Sequence, residues 1–270
     1  MRRSLTCLFA AALVVVSAAA ASAQDDDDAV LKPAEPDFTL VALPTALRVP
    51  LHKGAFRVSH RFTRPLSEGD FGDLAADLFG MDGGAQIGLE YRFGIVARGQ
   101  IGFHRTSNRN LELFAQYDLL PAGKPLPFDV SVRAALDNSG NFKGSRSPSV
   151  GAIISKIVGD RAALYVEPTW VNNANPLPKQ VVDHNDTFMV GIGARVRIRP
   201  TVNLVAELTP RSGFTPGLSQ GSFAIEKRAG GHLFQLNFSN GIGTTMTQIA
   251  RGGPAPRDWF VGFNISRKFY

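Results

Sequence analysis

Apolar and polar residues alternate strictly between residues 190 and 199. Apolar side chains occupy every second position from Val190 to Ile198, while glycine or arginine fills the positions between them, from Gly191 to Arg199. A helix would spread the arginines around its surface, whereas a strand sends successive side chains to opposite faces. The run is close to the roughly 9–11 residues that a tilted strand needs to cross a bilayer. The pattern therefore predicts a strand with one dry face.

The same period-two alternation recurs along the chain from residue 55 to its C-terminal end. It is typical of β-strands that bury one face, and β-branched and aromatic residues are frequent within it. We predict about twelve strands, within a range of roughly ten to fourteen. The predicted strands cover residues 55–62, 85–93, 95–105, 110–119, 128–136, 150–158, 162–171, 190–199, 201–209, 222–228, 231–239 and 258–269.

The connections between these strands alternate in length. Short connections lie near Gly94, Gly159, Pro200 and Gly230, and the long ones cover residues 65–84, 138–147, 172–186, 210–221 and 240–257. Long loops at one rim and short turns at the other are typical of outer-membrane barrels. We therefore predict an all-β fold, a single antiparallel transmembrane β-barrel with a short helix in the first long loop.

The N-terminal region differs in composition from the rest of the chain. Residues 1–23 combine a basic start, an apolar run and a small-residue cleavage pattern, which predicts a secretory signal peptide. Residues 24–46 contain four consecutive aspartates and three prolines, which predicts a flexible acidic tail. Residues 47–270 then form the barrel domain. The only cysteine, Cys7, lies in the predicted signal peptide, so no disulfide is expected.

Four sequence motifs lie within or beside the predicted strands: Ser59–Phe62, Phe79–Ile87, Gly230–Leu236 and Phe263–Arg267. Together they resemble a bacterial outer-membrane β-barrel family known only as a domain of unknown function, over about residues 47–270. The resemblance implies a barrel and supplies no activity. The residues that carry it are His60, Arg61, Phe62, Asp82, Gly83, Gly84, Gly231, His232 and Gln235.

Charged residues occupy the polar parity of the strands, which would face the lumen of a barrel. The candidate lumen-lining residues are Glu90, Arg92, Glu112, Asp129, Arg133, Arg195, Arg197 and Glu207. These charges either pair into a ladder that fills the interior or line a water-filled path that biases solute selectivity. For the closely spaced Arg195 and Arg197, we predict that Glu207 on the following strand is the nearest acidic partner.

Catalytic and cofactor signals are absent from the sequence. The five histidines are dispersed, and no spacing typical of a metal site or catalytic residues occurs, so we expect neither enzymatic activity nor a cofactor. The chain has a net charge of +6, but a signal peptide and dispersed arginines argue against nucleic acid as a partner.

We expect a barrel in the outer membrane of a didermic bacterium that binds or passes a small polar solute. Its other expected partners are outer-membrane lipid and the barrel-insertion machinery, which would recognise the aromatic C-terminal strand ending at Phe269. A structural or receptor barrel with partner-binding loops is the first alternative. An outer-membrane lipid hydrolase is the second, and it requires a serine, a histidine and an acid that converge at one rim.

Overall fold

The computed structural model describes residues 34–120, 126–175, 185–214 and 217–270. The predicted signal peptide and the aspartate run lie outside these residues. Thirteen strands are present in the described part of the chain. Their bounds are β1 Gly54–Phe62, β2 Ala85–Val96, β3 Gly99–Thr106, β4 Leu111–Leu120, β5 Asp129–Asn138, β6 Arg146–Val158, β7 Ala162–Val171, β8 Thr187–Arg199, β9 Val202–Thr209, β10 Arg211–Ser212, β11 Gln220–Ala229, β12 His232–Ser239 and β13 Phe260–Phe269.

Twelve of these strands close into an antiparallel barrel. Each long strand pairs with its neighbours in sequence, and β1 pairs with β13, so the sheet has no free edge. The two-residue β10 is an addition that pairs with the start of β8. The predicted class and strand number are confirmed. Closure also gives every long strand a paired neighbour on both sides, as a membrane-spanning sheet requires.

The two rims differ as the spacing of the strands predicts. Short turns connect β2 to β3, β6 to β7, β8 to β9 and β11 to β12 at one end, the short-turn rim. Longer loops lie at the opposite end, the long-loop rim. The two connections that break the rule are the short one at residues 107–110 on the long-loop rim and the longer one at residues 121–128 on the short-turn rim.

Two short α-helices lie in loops of the long-loop rim. Helix α1, Phe71–Ala76, lies in the first long loop, and Asp70 caps it by accepting from the Asp73 N–H at 3.0 Å. A 3₁₀ turn, Leu78–Gly80, follows it. Helix α2, Met246–Arg251, lies between β12 and β13, and most of its side chains are buried. The helix predicted in the first loop is therefore present, whereas α2 was not expected.

The strand faces separate by polarity as alternation requires. On β8, Ile192 and Val196 are 48% and 42% exposed, while Arg195 between them is fully buried. A barrel whose outer surface is apolar and whose interior is charged is suited to lipid outside and polar groups inside. The exposed apolar side chains are thus the lipid-facing band, and the buried polar side chains line the lumen.

The interior is filled from the short-turn rim by residues 34–49, which we call the N-terminal hairpin. The chain turns back at its tip, where the Leu40 N–H donates to the Leu43 carbonyl at 2.8 Å. The Thr45 N–H then bonds the Phe38 carbonyl at 2.8 Å. Leu40 and Val41 have no exposed surface. The expected flexible tail over residues 24–46 is therefore wrong for residues 34–46.

Candidate functional site

The tip of the N-terminal hairpin is held by one carboxylate of the barrel wall. Glu207 on β9 accepts hydrogen bonds from the backbone N–H groups of Val41, Ala42 and Leu43 at 3.0–3.1 Å. Three successive N–H groups around one carboxylate form an anion-binding concavity of the kind that turns create. The charge of Glu207 is thus satisfied by the hairpin backbone.

Carbonyl groups of the hairpin accept hydrogen bonds from side chains of β1, β12 and β13. The Val41 carbonyl accepts from Arg57, from Arg61 at 3.2 Å and from the Asn264 amide at 3.1 Å. The Leu40 carbonyl accepts from Gln235 Nε2 at 2.9 Å. A buried backbone without a sheet partner needs such donors, and here the lumen side chains supply them. The polar wall and the hairpin therefore satisfy each other.

The most buried ion pair of the lumen joins Arg195 to Glu226 on β11. Arg195 Nε lies 2.8 Å from Glu226 Oε2, and Nη2 lies 3.0 Å from Oε1, in a two-point contact with no exposed surface. Arg195 Nη2 also donates to the Thr39 carbonyl at 2.6 Å. The prediction that Glu207 is the acidic partner of Arg195 is wrong, because Glu207 binds the hairpin tip and Glu226 reaches across β9.

A second group of charges lies on β2, β4 and β5. Arg133 Nη2 is 2.6 Å from Glu112 Oε1, and Glu90 is paired with Arg92. The Arg133 guanidinium also stacks 3.7 Å from the centre of the Phe114 ring. Nitrogen atoms of Arg92 and Arg133 nevertheless lack hydrogen-bond partners among the described residues. Buried polar groups normally have a hydrogen-bond partner in the protein or in ordered water.

The remaining two candidate lumen residues lie toward the short-turn rim. Arg197 is half-buried and pairs with Asp160, which lies in the turn between β6 and β7. The Asp160 side chain is 66% exposed. Asp129 begins β5 and is also half-buried. These two residues lie at the edge of the barrel, whereas the other six candidates are buried in its interior.

The family-motif residues divide between the lumen, the lipid face and the rims. Arg61 and Gln235 face the lumen and donate to hairpin carbonyls, as described above. His60 and Phe62 lie together with Phe263, and the His60 ring stacks 4.7 Å from that of Phe263. The remaining motif residues occupy the first long loop and the β11–β12 end of the barrel: Asp82, Gly83, Gly84, Gly231 and His232.

The sequence analysis did not predict that residues 34–49 fold into the lumen as a hairpin. The available signal was the apolar run Phe38–Leu43 between two prolines, which is unusual for a solvated tail. Its hydrophobic side chains fit small wall residues, since a Cβ atom at Gly193 would lie 2.1 Å from Leu40 Cδ1, and one at Gly191 would lie 2.9 Å from Leu43 Cδ1. These glycines make room for the hairpin.

Helix α2 fills the lumen from the long-loop rim. Its first residue, Met246, donates its backbone N–H to Glu112 Oε2 at 2.6 Å, and Thr245 caps the helix and bonds Asp137. Met246 and Ile249 join the same buried apolar cluster as Leu40 of the hairpin. The hairpin and α2 therefore meet inside the barrel through a shared apolar core.

A cavity of about 660 Å³ lies at the long-loop rim beside α2. Side chains of β2, the β3–β4 connection and α2 line it, together with residues of the loops that precede β11 and β13. Arg251, at the end of α2, lines this cavity and donates its Nε–H to the Ala174 carbonyl at 2.8 Å. Burial lowers the pKa of the Arg251 guanidinium, and nearby Asp137 opposes that shift. The guanidinium remains protonated near neutral pH.

One serine, one histidine and one acid approach each other inside the barrel. His104 Nδ1 lies 3.8 Å from Glu90 Oε2, and both His104 Nε2 and Ser59 Oγ border the space above Gly88. Ser59 Oγ makes no hydrogen bond to a described residue. All three side chains face the filled lumen and are nearly fully buried, so this group does not meet the lipid surface that a lipid hydrolase requires.

Within the described ranges, no group of three or more histidine, cysteine or acidic side chains is placed to hold a metal ion. No helix in that part of the chain has the length and apolar character needed to cross a membrane.

A closed barrel with an apolar outer band, a charged interior and rims of unequal loop length defines an outer-membrane β-barrel. The chain belongs to the family of membrane-bound β-barrel domains DUF5777, whose profile matches residues 38–269. The match includes most of the N-terminal hairpin. A comparison with curated protein sequences finds no match.

Solved structures with the same fold include two porins. KdgM, solved as a porin in complex with disordered oligogalacturonate, aligns at a TM-score of 0.53 and 8% identity, over 80% of this chain and 99% of its own. The NanC porin aligns at 0.54 and 7% identity, over 81% and 99%. The outer membrane phospholipase A of Escherichia coli aligns at only 0.45 and 12% identity, over 80% and 90%. The alignments with the two porins show a shared fold and no more.

Proposed function

We propose that the protein is an outer-membrane channel for a small polar solute and that its own N-terminal hairpin closes the channel in this conformation. The main support for this proposal is the way in which the barrel wall binds the hairpin. It pairs with no barrel strand among the described residues, and wall side chains such as Glu207 and Arg195 bind its backbone. These contacts are non-covalent, and water or solute can replace each of them.

The composition of the wall supports a path that is hydrated when the hairpin leaves. Charged side chains of both signs line the lumen, and several of their nitrogen atoms lack hydrogen-bond partners among the described residues. A permanently dry interior would carry a large penalty for such groups. Resemblance in fold to the porins KdgM and NanC is consistent with the proposal.

The test is to remove the hairpin and measure conductance. A chain that lacks residues 24–50 should give stepwise currents in planar bilayers, because the part of the lumen that the hairpin occupies then fills with water. The full-length mature chain should conduct much less under the same conditions. Heat-modifiable migration in gel electrophoresis checks that the shortened barrel has folded. A folded, hairpin-free barrel that never conducts would contradict the channel proposal.

A reversible lock controls for indirect effects of the deletion. Ser266 Oγ on β13 donates to Asp37 Oδ2 of the hairpin at 3.0 Å, so a disulfide formed between cysteines at these two positions would tether the hairpin to the wall. The predicted mature chain contains no other cysteine. The variant Asp37→Cys/Ser266→Cys should stay closed when oxidised and should regain the wild-type level of current after reduction.

A structural or receptor barrel is the second candidate, and the filled interior favours it. The hairpin from one end and α2 from the other share one apolar cluster, which is an arrangement that also suits a permanently plugged scaffold. In that case the long loops would bind a partner and the hairpin would stabilise the barrel. Loss of folding in the deletion variant, together with no effect of reducing the lock, would favour this candidate.

A further inference from the structure

The cavity at the long-loop rim has the size of a small-molecule site. Its volume of about 660 Å³ lies within the roughly 300–1,000 Å³ typical of ligand pockets. Much of its wall is apolar and includes Phe214, Leu218, Ile242, Pro254 and Phe260. Aromatic and proline rings offer flat apolar faces, so the cavity suits a compact ring rather than a long flexible chain.

Three amide side chains are locked together on the polar wall of the cavity. Gln86 Nε2 donates to Gln248 Oε1 at 3.0 Å, Asn108 Nδ2 donates to Gln86 Oε1 at 2.9 Å, and Gln248 Nε2 donates to Asn108 Oδ1 at 3.2 Å. Gln86 Nε2 also donates to the Ile242 carbonyl at 2.9 Å. An amide nitrogen carries two N–H groups. Counting partners among the described residues, one N–H each on Asn108 and Gln248 is therefore left for a ligand, while both of Gln86 are used.

The charge of the cavity comes from Arg251. Among the described residues that line the cavity, Arg251 is the charged one, and the nearby Asp137 does not line the cavity. Its Nε is anchored on the Ala174 carbonyl, which fixes the guanidinium plane. An anchored guanidinium with two amide N–H groups offers more donors than acceptors. Such a set favours a carboxylate, which accepts hydrogen bonds and has the geometry that arginine binds in two points.

We propose that this cavity binds a small organic carboxylate with a body of one ring, as the first station of the path into the lumen. Arg251 binds the carboxylate, Asn108 and Gln248 donate to its oxygens or to neighbouring hydroxyl groups, and the apolar wall packs against the ring. The inference rests on the proposed channel and names the class of its solute. The ring belongs either to a sugar acid or to an aromatic acid, since both share this chemistry.

The test is direct titration of the full-length mature barrel in detergent by calorimetry, with glucuronate and benzoate as probes. Glucose and benzyl alcohol are the matched uncharged compounds. We expect at least one carboxylate to bind at least about tenfold more tightly than its uncharged counterpart, which corresponds to the loss of a charge-assisted hydrogen bond. Binding of glucuronate or of benzoate identifies the sugar or the aromatic acid. A wild-type barrel that binds neither, or binds the uncharged compounds equally well, overturns the proposal.

Variants of Arg251 separate the site from general effects on the barrel. Arg251→Gln should weaken carboxylate binding by at least about tenfold, and Arg251→Lys should retain part of it because the charge remains. Arg146→Gln is the matched control, since Arg146 is exposed at the same rim and does not line the cavity. Equal binding by Arg251→Gln and Arg146→Gln would refute the site. Calorimetry needs no open channel, so this outcome is independent of the conductance test.

Discussion

At the scale of single residues, the lumen shows how buried charges are kept in a filled barrel. Arg195 is held by Glu226 and by a hairpin carbonyl, whereas Arg197, two residues further along β8, pairs with an exposed aspartate at the rim. The same residue type on the same face therefore meets two different environments. Removing one partner of a buried pair leaves an unpaired charge, whereas an exposed pair contributes little.

The two arginines of β8 give a matched prediction. Arg195→Gln should lower the free energy of unfolding by about 3–5 kcal/mol, because Glu226 loses its partner in the interior. Arg197→Gln should change it by no more than about 1 kcal/mol. Urea titration of the barrel in lipid vesicles measures both. Combining Arg195→Gln with Glu226→Gln should cost less than the sum of the single changes. Equal, small effects of both single variants would mean that Arg195 is solvated.

At the scale of elements, the two faces of β8 meet different surroundings, lipid on the outside and the hairpin on the inside. Its apolar residues form part of the lipid-facing band, and Gly191 and Gly193 on the other face leave space for hairpin leucines. A glycine in a strand is often explained by a bend or a close approach. Here the close approach is to Leu40 and Leu43 of the hairpin, which explains why glycine occupies these two positions.

The lipid face of β8 predicts a dependence on depth. Ile192→Arg should destabilise the folded barrel by about 2–4 kcal/mol, because Ile192 lies near the middle of the strand. Ile198→Arg, on the same face near the short-turn rim, should cost no more than about 1 kcal/mol. Folding yield into vesicles as a function of urea reports both variants. If the two substitutions cost the same, the assignment of the lipid-facing band would be incorrect.

At the scale of the whole molecule, the barrel is filled from both ends. The N-terminal hairpin enters from the short-turn rim, and α2 folds in from the long-loop rim, where the cavity lies. In outer-membrane barrels the short turns face the periplasm and the long loops face outward. The proposed gate and the proposed solute site therefore lie on opposite sides of the membrane, joined by one apolar cluster.

This arrangement predicts where the protein is found in the cell. Expressed with its N-terminal segment in a didermic host, the chain should appear in the outer-membrane fraction and migrate faster in gels when it is not heated. N-terminal sequencing should begin at Gln24, if residues 1–23 are removed as a signal peptide. A mature chain that is soluble in the periplasm would contradict the membrane assignment.

The sequence by itself determined the number, direction and facing of the strands. Period-two alternation depends only on backbone geometry, so the lipid-facing residues of β8 and the unequal rims followed from the order of residues. The short helix in the first long loop followed for the same reason, because helix formation over one or two turns is local. None of these features depends on which distant residues meet inside the barrel.

Only the tertiary structure decided what fills the lumen and how the charges pair. All inward side chains of a closed barrel point toward a common axis, so long ones such as Arg195 and Glu226 meet across an intervening strand, which neighbour-based pairing does not predict. Glu207 binds the hairpin backbone, and the three bonded amides and Arg251 come together from β2, the β3–β4 connection and α2. These contacts join residues that are distant in sequence, and no local pattern encodes them.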